Sequence, residues 1–237
     1  MKTLVIFDID GTLLHSADLH HRLITRILAE DGLDVTFQPW AAYPHYTDLG
    51  VLQALYGQFR GRAIRPEELE RYDRLYERAL RAHLAESAVP EVAGAGRLMR
   101  GLLRMPDVRL AFATGSLPRM ARVKLGLLGV DADRAALATG GEHLTREAIL
   151  RAAARRSGVG GAFRAVSLGD GPWDQRTAEN LGLPFVALET GTHVFGAGPV
   201  RRLADFTRIG AEDLVALARP VEWPENAERP ENAKGMA

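Results

Sequence analysis

Acidic and hydroxyl side chains follow three short apolar runs of this sequence. The six that could do chemistry are Asp8, Asp10, Thr114, Ser116, Asp170 and Asp174. Asp8 and Asp10 lie two positions apart, so in an extended chain both point to one side while Ile9 points to the other. Such carboxylates can attack an electrophile, transfer protons or bind a cation.

The apolar runs read as buried parallel strands. They cover residues 4–7, 108–113, 165–168 and 184–188. Segments with helical spacing lie between them, at 119–128, 147–156 and 175–181. Strands that alternate with helices predict an α/β fold with a doubly wound parallel sheet. Because ligands bind outside the carboxyl ends of such strands, we expect the six side chains to share one cleft.

About ninety residues separate the first predicted strand from the second, too many for one crossover helix. Their apolar residues recur at spacings of three and four, as at Leu19, Leu23 and Ile27. We therefore predict a helical cap at 15–88, inserted into a core formed by 1–14 and 89–219. The tail 220–237 repeats Pro-Glu-Asn-Ala and is predicted to be disordered.

Composition narrows the class of protein. Thirty basic and thirty acidic residues balance, so the charge pattern of a nucleic-acid or membrane-surface binder is missing. The chain has no cysteine, which excludes thiolate catalysis and cysteine-based zinc sites. The apolar run 4–7 is too short for a signal peptide or a membrane span, so we expect a cytoplasmic protein.

Carboxylates that converge on one cleft repel each other. A like-charged pair near 4 Å costs about 4 kcal/mol at an effective dielectric constant of 20. A cation between them would offset that repulsion, and oxygen ligands with room for water and phosphate favour Mg²⁺. The sequence therefore predicts a magnesium site.

The segment 7–13, Phe-Asp-Ile-Asp-Gly-Thr-Leu, resembles the first motif of the haloacid dehalogenase superfamily. The segment 111–115, with Thr114 as its hydroxyl, resembles the second motif, and Gly169-Asp170 with Asp174 resembles the fourth. These motifs occur in the expected order and cover the core, about two thirds of the chain. The inserted helices fall where this superfamily places its first-type cap.

The resemblance implies phosphoryl transfer in two steps. Asp8 attacks phosphorus to form an aspartyl-phosphate, which water then cleaves, while Asp10 protonates the leaving oxygen and later activates the water. Mg²⁺ is held by Asp8, the Asp10 carbonyl, Asp170 and Asp174. Thr114 binds a phosphate oxygen. The implied activity is a Mg²⁺-dependent phosphatase.

The third motif usually carries a lysine, and residues 139–149 contain none. Arg146 is the preferred cation because it precedes the helix that leads to the 165–168 strand, and a guanidinium binds phosphate through two hydrogen bonds. Lys124, after the second motif, is the competing candidate.

Substrate contacts are expected from Gly115 and Ser116 beside the second motif, and from the polar, turn-rich segment 43–49 of the cap. In that segment His45, Thr47 and Asp48 are candidates, against the alternative of an ordinary inter-helix loop. His15, His20 and His21 fit no metal-binding pattern and receive no role.

Several alternatives stay open. Asp174 could simply cap the helix that follows it. A phosphomutase or phosphotransferase of the same fold would pass the phosphoryl group to a sugar hydroxyl, and a catalytically idle binding module could keep the fold. A dehalogenase is disfavoured because that reaction needs no metal. The expected partner is a small phosphorylated metabolite, and the expected state is a monomer or homodimer.

Overall fold

The computed structural model describes residues 1–38, 42–191 and 193–223. Its seven strands form one sheet: β1 Thr3–Phe7, β2 Val108–Thr114, β3 Leu137–Thr139, β4 Phe163–Gly169, β5 Phe185–Leu188, β6 Arg201–Leu203 and β7 Arg219–Val221. The order across the sheet is β3-β2-β1-β4-β5-β6, all parallel, and β7 pairs antiparallel with β4.

The strand β1 lies between β2 and β4 at the centre of the sheet, and all five of its side chains are buried. Phe7 pairs with Phe112 of β2 on one side and with Leu168 of β4 on the other. Successive β1 residues pack into different apolar clusters, Leu4 on one face and Val5 on the other. Both faces are therefore covered, as the continuous apolar run predicts.

Eight α-helices and one short 3₁₀ helix, Val35–Phe37, accompany the sheet within the described residues. The α-helices are α1 Ala17–Glu30, α2 Asp48–Arg60, α3 Pro66–Glu86, α4 Ala95–Leu103, α5 Pro118–Leu127, α6 Arg146–Arg156, α7 Pro172–Asn180 and α8 Ala211–Leu217. Residues of α4, α5 and α8 join the apolar cluster on one face of the sheet, and residues of α6 and α7 join the cluster on the other. The predicted doubly wound α/β fold is confirmed.

The first three helices, α1 to α3, lie between β1 and β2 and are called the inserted helices below. They share an apolar cluster of their own, which includes Leu28, Leu55 and Tyr76. Leu117 and Met120, at the start of α5, belong to the same cluster and join it to the rest of the protein. The sequence-based division into a core and a cap stays a prediction.

Several elements were not predicted from the sequence. These are β3, β6, β7, α4 and α8, each short or polar. The tail does not begin at 220, because Pro220 and Val221 belong to β7 and pair with Arg164 and Phe163 of β4. The remaining predicted tail, 224–237, lies outside the described residues. Among the helices that the structure describes, none combines the length and the apolar character needed to cross a membrane.

Candidate active site

The carboxyl ends of β1, β2 and β4 bring polar side chains together at one edge of the sheet. Asp8 directly follows β1, and its N–H group donates a hydrogen bond of 3.0 Å to the Leu168 carbonyl. Thr114 ends β2, and Asp170 directly follows β4. All three side chains are buried. The predicted convergence of these strand ends is present.

The chain turns sharply after Asp10 at Gly11, where φ is +75°. Turns of this kind favour glycine because a Cβ is strained at positive φ. A Cβ at Gly11 would also lie only 1.9 Å from Oδ2 of Asp170. Glycine at this position therefore lets Asp170 approach the first motif.

Asp8, Asp170 and Asp174 form a buried cluster in which one oxygen of each carboxylate lies within 4.8 Å of the others. Burial, and then the charge of Asp174, raise the pKa of Asp8 well above its ordinary value. The same two causes raise the pKa of Asp170 to about 8. Negative charge is thus poorly offset here, and hard oxygen donors so arranged fit a divalent cation.

Arg146 supplies positive charge at the side of this cluster. Its Nη1 lies 2.8 Å from Asp174 Oδ1 and 3.3 Å from Asp8 Oδ1, and its Nε donates a 2.9 Å hydrogen bond to the Tyr46 carbonyl. Thr145 caps the helix α6 by accepting a hydrogen bond from Ala148 N–H, which fixes where Arg146 leaves the backbone. The guanidinium therefore joins two carboxylates to the segment before α2.

Asp10 lies in different surroundings from Asp8, although only one residue separates them. Its carboxylate accepts hydrogen bonds from Ser16 Oγ at 2.5 Å, Ser116 Oγ at 2.8 Å and Lys124 Nζ at 2.7 Å. Burial alone would raise the pKa of Asp10, but the Lys124 ammonium and the hydrogen bonds from Lys124 and Ser16 bring it well below its ordinary value. The Asp10 carboxylate is thus engaged by these three donors and is not a member of the cluster of Asp8, Asp170 and Asp174.

The two candidates for the third-motif cation thus contact different carboxylates. Arg146 contacts the Asp8 side of the site, and Lys124 contacts Asp10. Lys124 is only 1% exposed, so it is no solvated helix-face residue. Both cations contact carboxylates of the site, and the choice of Arg146 as the third-motif cation stays a prediction.

A cavity of about 290 Å³ opens over these groups. Its floor includes Asp8, Asp10, Asp170, Arg146 and the segment Thr114, Gly115 and Ser116. Its walls come from α1, from the loop before α2 and the first residue of α2, from the start of α7 and from the loop after β5. They contain Ala17, Asp18, His20, His21, Tyr46, Thr47, Asp48, Trp173 and His193. The cavity is large enough for a small organic phosphate.

One wall of the cavity is aromatic. The rings of Tyr46 and Trp173 stack with their centroids 3.5 Å apart and their planes 10° apart, and the His193 ring meets the edge of Trp173 at 4.7 Å. Tyr46 belongs to the loop before α2, whereas Trp173 begins the helix after the fourth motif. The stack therefore closes the cavity between the inserted helices and the sheet.

Thr47 and Asp48 line the cavity as predicted, but their polar atoms hold the inserted helices in place. Thr47 Oγ1 caps α2 at Gly50 N–H and donates to the Leu144 carbonyl. Asp48 accepts a 2.8 Å hydrogen bond from Leu117 N–H and contacts His20 Nε2 at 3.0 Å. His45 lines a smaller neighbouring cavity instead.

Thr114 and its neighbours are also occupied by internal hydrogen bonds. Thr114 Oγ1 accepts a hydrogen bond from Ser116 N–H at 3.2 Å, and the Gly115 carbonyl accepts one from Asp48 N–H at 2.8 Å. The Thr114 hydroxyl keeps its own hydrogen to donate. These contacts fix the loop after β2 on the cavity floor.

Sequence reasoning gave no role to four residues of this site: Ser16, His20, Trp173 and His193. Trp173 and His193 follow predicted strand ends and could have been found by extending the search a few residues into each loop. Ser16 and His20 carry no such signal, because their position depends on how α1 leaves the first motif.

The sequence matches the family of haloacid dehalogenase-like hydrolases over residues 2–182, which include the carboxyl ends of β1, β2 and β4. The chain belongs to this family. Its members are hydrolases, and the predicted superfamily is confirmed.

A phosphoglycolate phosphatase from Rhodospirillum rubrum is 32% identical to this family member over 236 residues, which cover 93% of each chain. The similarity extends through the inserted helices as well as the sheet, and it confirms the predicted enzyme class, a phosphatase of this superfamily.

Solved structures share the fold. CbbY from Rhodobacter sphaeroides in complex with phosphate has a TM-score of 0.66 at 22% identity and covers 90% of this chain and 99% of its own. A mutant of CbbY in complex with xylulose-(1,5)bisphosphate has a TM-score of 0.67 at 24% identity with the same coverage. A hydrolase from Pseudomonas syringae has a TM-score of 0.66 at 21% identity and covers 91% of this chain and 97% of its own.

Proposed function

We propose that this protein is a Mg²⁺-dependent phosphatase that hydrolyses a small phosphate monoester through an aspartyl-phosphate on Asp8. The observation that carries the proposal is the separation of Asp8 from Asp10. One carboxylate faces a cluster of acidic groups beside Arg146, and the other is hydrogen-bonded by two hydroxyls and an ammonium group. Two carboxylates in such different surroundings suit two different roles.

In the first step, an Asp8 oxygen bonds to phosphorus and the phosphorus–oxygen ester bond breaks. Asp10 in its protonated form, which the Lys124 contact makes the minor form at neutral pH, gives its proton to the leaving oxygen. In the second step, water attacks the phosphorus of the aspartyl-phosphate, Asp10 takes back a proton from that water, and Asp8 is released as a carboxylate with inorganic phosphate. Thr114, through its hydroxyl, and Arg146 bind the phosphoryl oxygens.

The acidic cluster supports a divalent cation at Asp8, Asp170 and Asp174, with the Asp10 carbonyl as a further ligand. Mg²⁺ bound there would offset negative charge on the transferring phosphoryl group. Asp8, Asp10, Thr114 and Arg146 supply the other groups that the reaction needs. Gly115 and Ser116 shape the floor against which the phosphate lies.

The cavity of about 290 Å³ supports a small substrate, because polymers do not fit beneath the Tyr46–Trp173 stack. The phosphoglycolate phosphatase of R. rubrum makes a short-acid phosphate the first candidate. The inserted helices act as a cap, 15–88, over a core formed by 1–14 and 89–219. A cytoplasmic location and a monomeric or homodimeric state remain predictions.

Phosphate release tests this function directly. The substrates are p-nitrophenyl phosphate, phosphoglycolate and a panel of sugar, nucleotide and short-acid phosphates, each with Mg²⁺ and with EDTA. We expect turnover that requires Mg²⁺ and that falls to background in Asp8→Asn. Asp133→Asn is the matched control, because Asp133 is an exposed aspartate on the surface, paired with Arg122, and it should keep full activity.

The outcomes separate the alternatives. Transfer of the phosphoryl group to a sugar, without release of phosphate, would identify a phosphotransferase. Magnesium binding with neither reaction would leave a binding module, and turnover by Asp8→Asn equal to that of the parent would exclude Asp8 as the nucleophile.

A further inference from the structure

Lys124 is a buried cation, and the two-step reaction proposed above does not require it to contact the phosphate. It lies on α5, is 1% exposed and does not line the cavity. Desolvating an ammonium group is costly, and an apolar side chain of the same length would fill this space without that cost. The contacts of Lys124 indicate what it does.

The Lys124 ammonium has three N–H donors, and the structure provides three acceptors. They are the Asp10 carboxylate at 2.7 Å, Ser116 Oγ at 3.1 Å and His20 Nδ1 at 3.1 Å. Ser116 Oγ in turn donates a hydrogen bond of 2.8 Å to Asp10 Oδ2. Every donor is therefore used, and two of the three contacts lead to Asp10.

His20 can accept from Lys124 only in one tautomer. Its Nε2 lies 3.0 Å from Asp48 Oδ1, and because a carboxylate only accepts hydrogen bonds, Nε2 must carry the hydrogen. Nδ1 then presents a lone pair to Lys124 Nζ. Nδ1 also contacts the sulfur of Met120, and this contact does not require a hydrogen on Nδ1.

A continuous chain of hydrogen bonds thus runs from the inserted helices to the first motif: Asp48, His20, Lys124 and Asp10. Asp48 itself is fixed on the loop after β2, since it accepts the Leu117 N–H and donates its own N–H to the Gly115 carbonyl. The chain exists only while α1 and α2 lie against α5.

We propose that Lys124 is a positioning residue that holds the Asp10 carboxyl group toward the leaving oxygen, and that His20 and Asp48 hold Lys124 in turn. This inference rests on the proposed function in assigning proton transfer to Asp10. It gives the inserted helices a part in the reaction besides enclosing the substrate, because they supply two members of the chain.

Leaving-group dependence tests the catalytic part. We compare kcat/KM, which reports the step in which the ester bond breaks, for an alkyl phosphate substrate and for p-nitrophenyl phosphate, whose nitrophenolate departs without a proton. Lys124→Met should lower kcat/KM for the alkyl substrate on the order of 10- to 100-fold, and much less for p-nitrophenyl phosphate. Asp10→Asn should show the same contrast, and Lys2→Met, which changes an exposed lysine, should show no loss.

His20→Asn should reproduce the contrast more weakly, and the double variant should be no worse than Lys124→Met alone, because both act through one chain of contacts. Magnesium affinity measured by calorimetry should be unchanged in all of them, since the acidic cluster is untouched. Equal losses for both leaving groups, or additive losses in the double variant, would overturn the proposal.

A second measurement needs no activity. The chain has three lysines, so lysine labelled with ¹⁵N at Nζ gives three signals, and the one lost in Lys124→Met is that of Lys124. We expect its protons to exchange slowly with water in the parent protein and faster in His20→Asn and Asp48→Asn. Fast exchange in the parent would overturn the proposal. Failure of phosphate release with slow exchange would instead count against the proposed function alone.

Discussion

Gly11 controls how closely the first and fourth motifs approach each other. Its φ of +75° and the 1.9 Å distance from its virtual Cβ to Asp170 Oδ2 are two separate obstacles to any side chain. Gly158 offers a matched comparison, because its φ is +71° but nothing lies within 4 Å of a Cβ there.

We predict that Gly11→Ala destabilises the protein more than Gly158→Ala does. Both variants incur the strain of positive φ, about 1–2 kcal/mol, but only the first displaces Asp170. Urea unfolding measures the difference, and calorimetry should show that Gly11→Ala alone loses magnesium binding. Equal unfolding free energies for the two variants would contradict this account.

Asp170 itself gives a second prediction at the scale of the residue. Asp170→Asn removes the charge of one of three clustered carboxylates and keeps a side chain of the same size. The affinity for Mg²⁺ should therefore fall by about tenfold or more, which is roughly 1.4 kcal/mol. Titration calorimetry against the parent measures it. Asp133→Asn, on the exposed surface, should bind Mg²⁺ as the parent does, and unchanged affinity in Asp170→Asn would exclude this cluster as the metal site.

The helix α5 is the element at which the inserted helices meet the sheet. Two buried carboxylates of the inserted helices lie at its N-terminus: Asp48 accepts the Leu117 N–H, and Asp73 accepts the Arg119 N–H at 2.9 Å. The first N–H groups of a helix lack partners within it, and the helix dipole favours negative charge there. These two contacts therefore attach α2 and α3 to α5.

The contact at Asp73 predicts a pH dependence. Burial raises the pKa of Asp73 to about 6, from an ordinary value of 3.8. The folded state thus binds this proton more tightly than the unfolded state, and the free energy of unfolding falls as pH rises from about 4 to 6. Asp73→Asn lacks this decline, because its amide does not titrate and its oxygen still accepts the Arg119 N–H.

Urea unfolding at pH 4.5 and pH 7.5 checks the prediction. Relative to the parent, Asp73→Asn should gain stability between the two pH values, on the order of 1 kcal/mol, because part of the shift from 3.8 to about 6 lies below pH 4.5. A difference between variant and parent that is the same at both pH values would show that Asp73 does not titrate in this window.

Strands and helices were predictable where apolar residues run together long enough. The run at 4–7 and the strand β4 are recognisable from their consecutive apolar residues. In contrast, β3 has only three residues, β6 exposes two arginines and β7 contains a proline. Such short strands form because a neighbouring strand is available to pair with them. The sequence pattern cannot supply that context.

For the molecule as a whole, the floor of the site was more predictable than its walls. Asp8, Asp10 and Asp170 follow strands whose ends must meet in any parallel sheet, so topology alone brings them together. Tyr46, His20 and the environment of Lys124 depend on how the inserted helices lie against α5. That arrangement comes from packing between distant segments, which spacing in the sequence does not reveal.

The central position of β1 has a consequence for biosynthesis. Thr3 pairs with Val108 on one side and with Arg164 on the other, so β1 gains its first partner only after residue 108 has been made and its second only after residue 164. Until then the run Leu-Val-Ile-Phe at 4–7 is an unpaired, uncharged β-forming segment, a type prone to aggregation. The inserted helices have an apolar cluster of their own and can begin to pack in the meantime. The apolar segment that ends beside Asp8, the proposed nucleophile, therefore depends for its burial on strands made much later in synthesis.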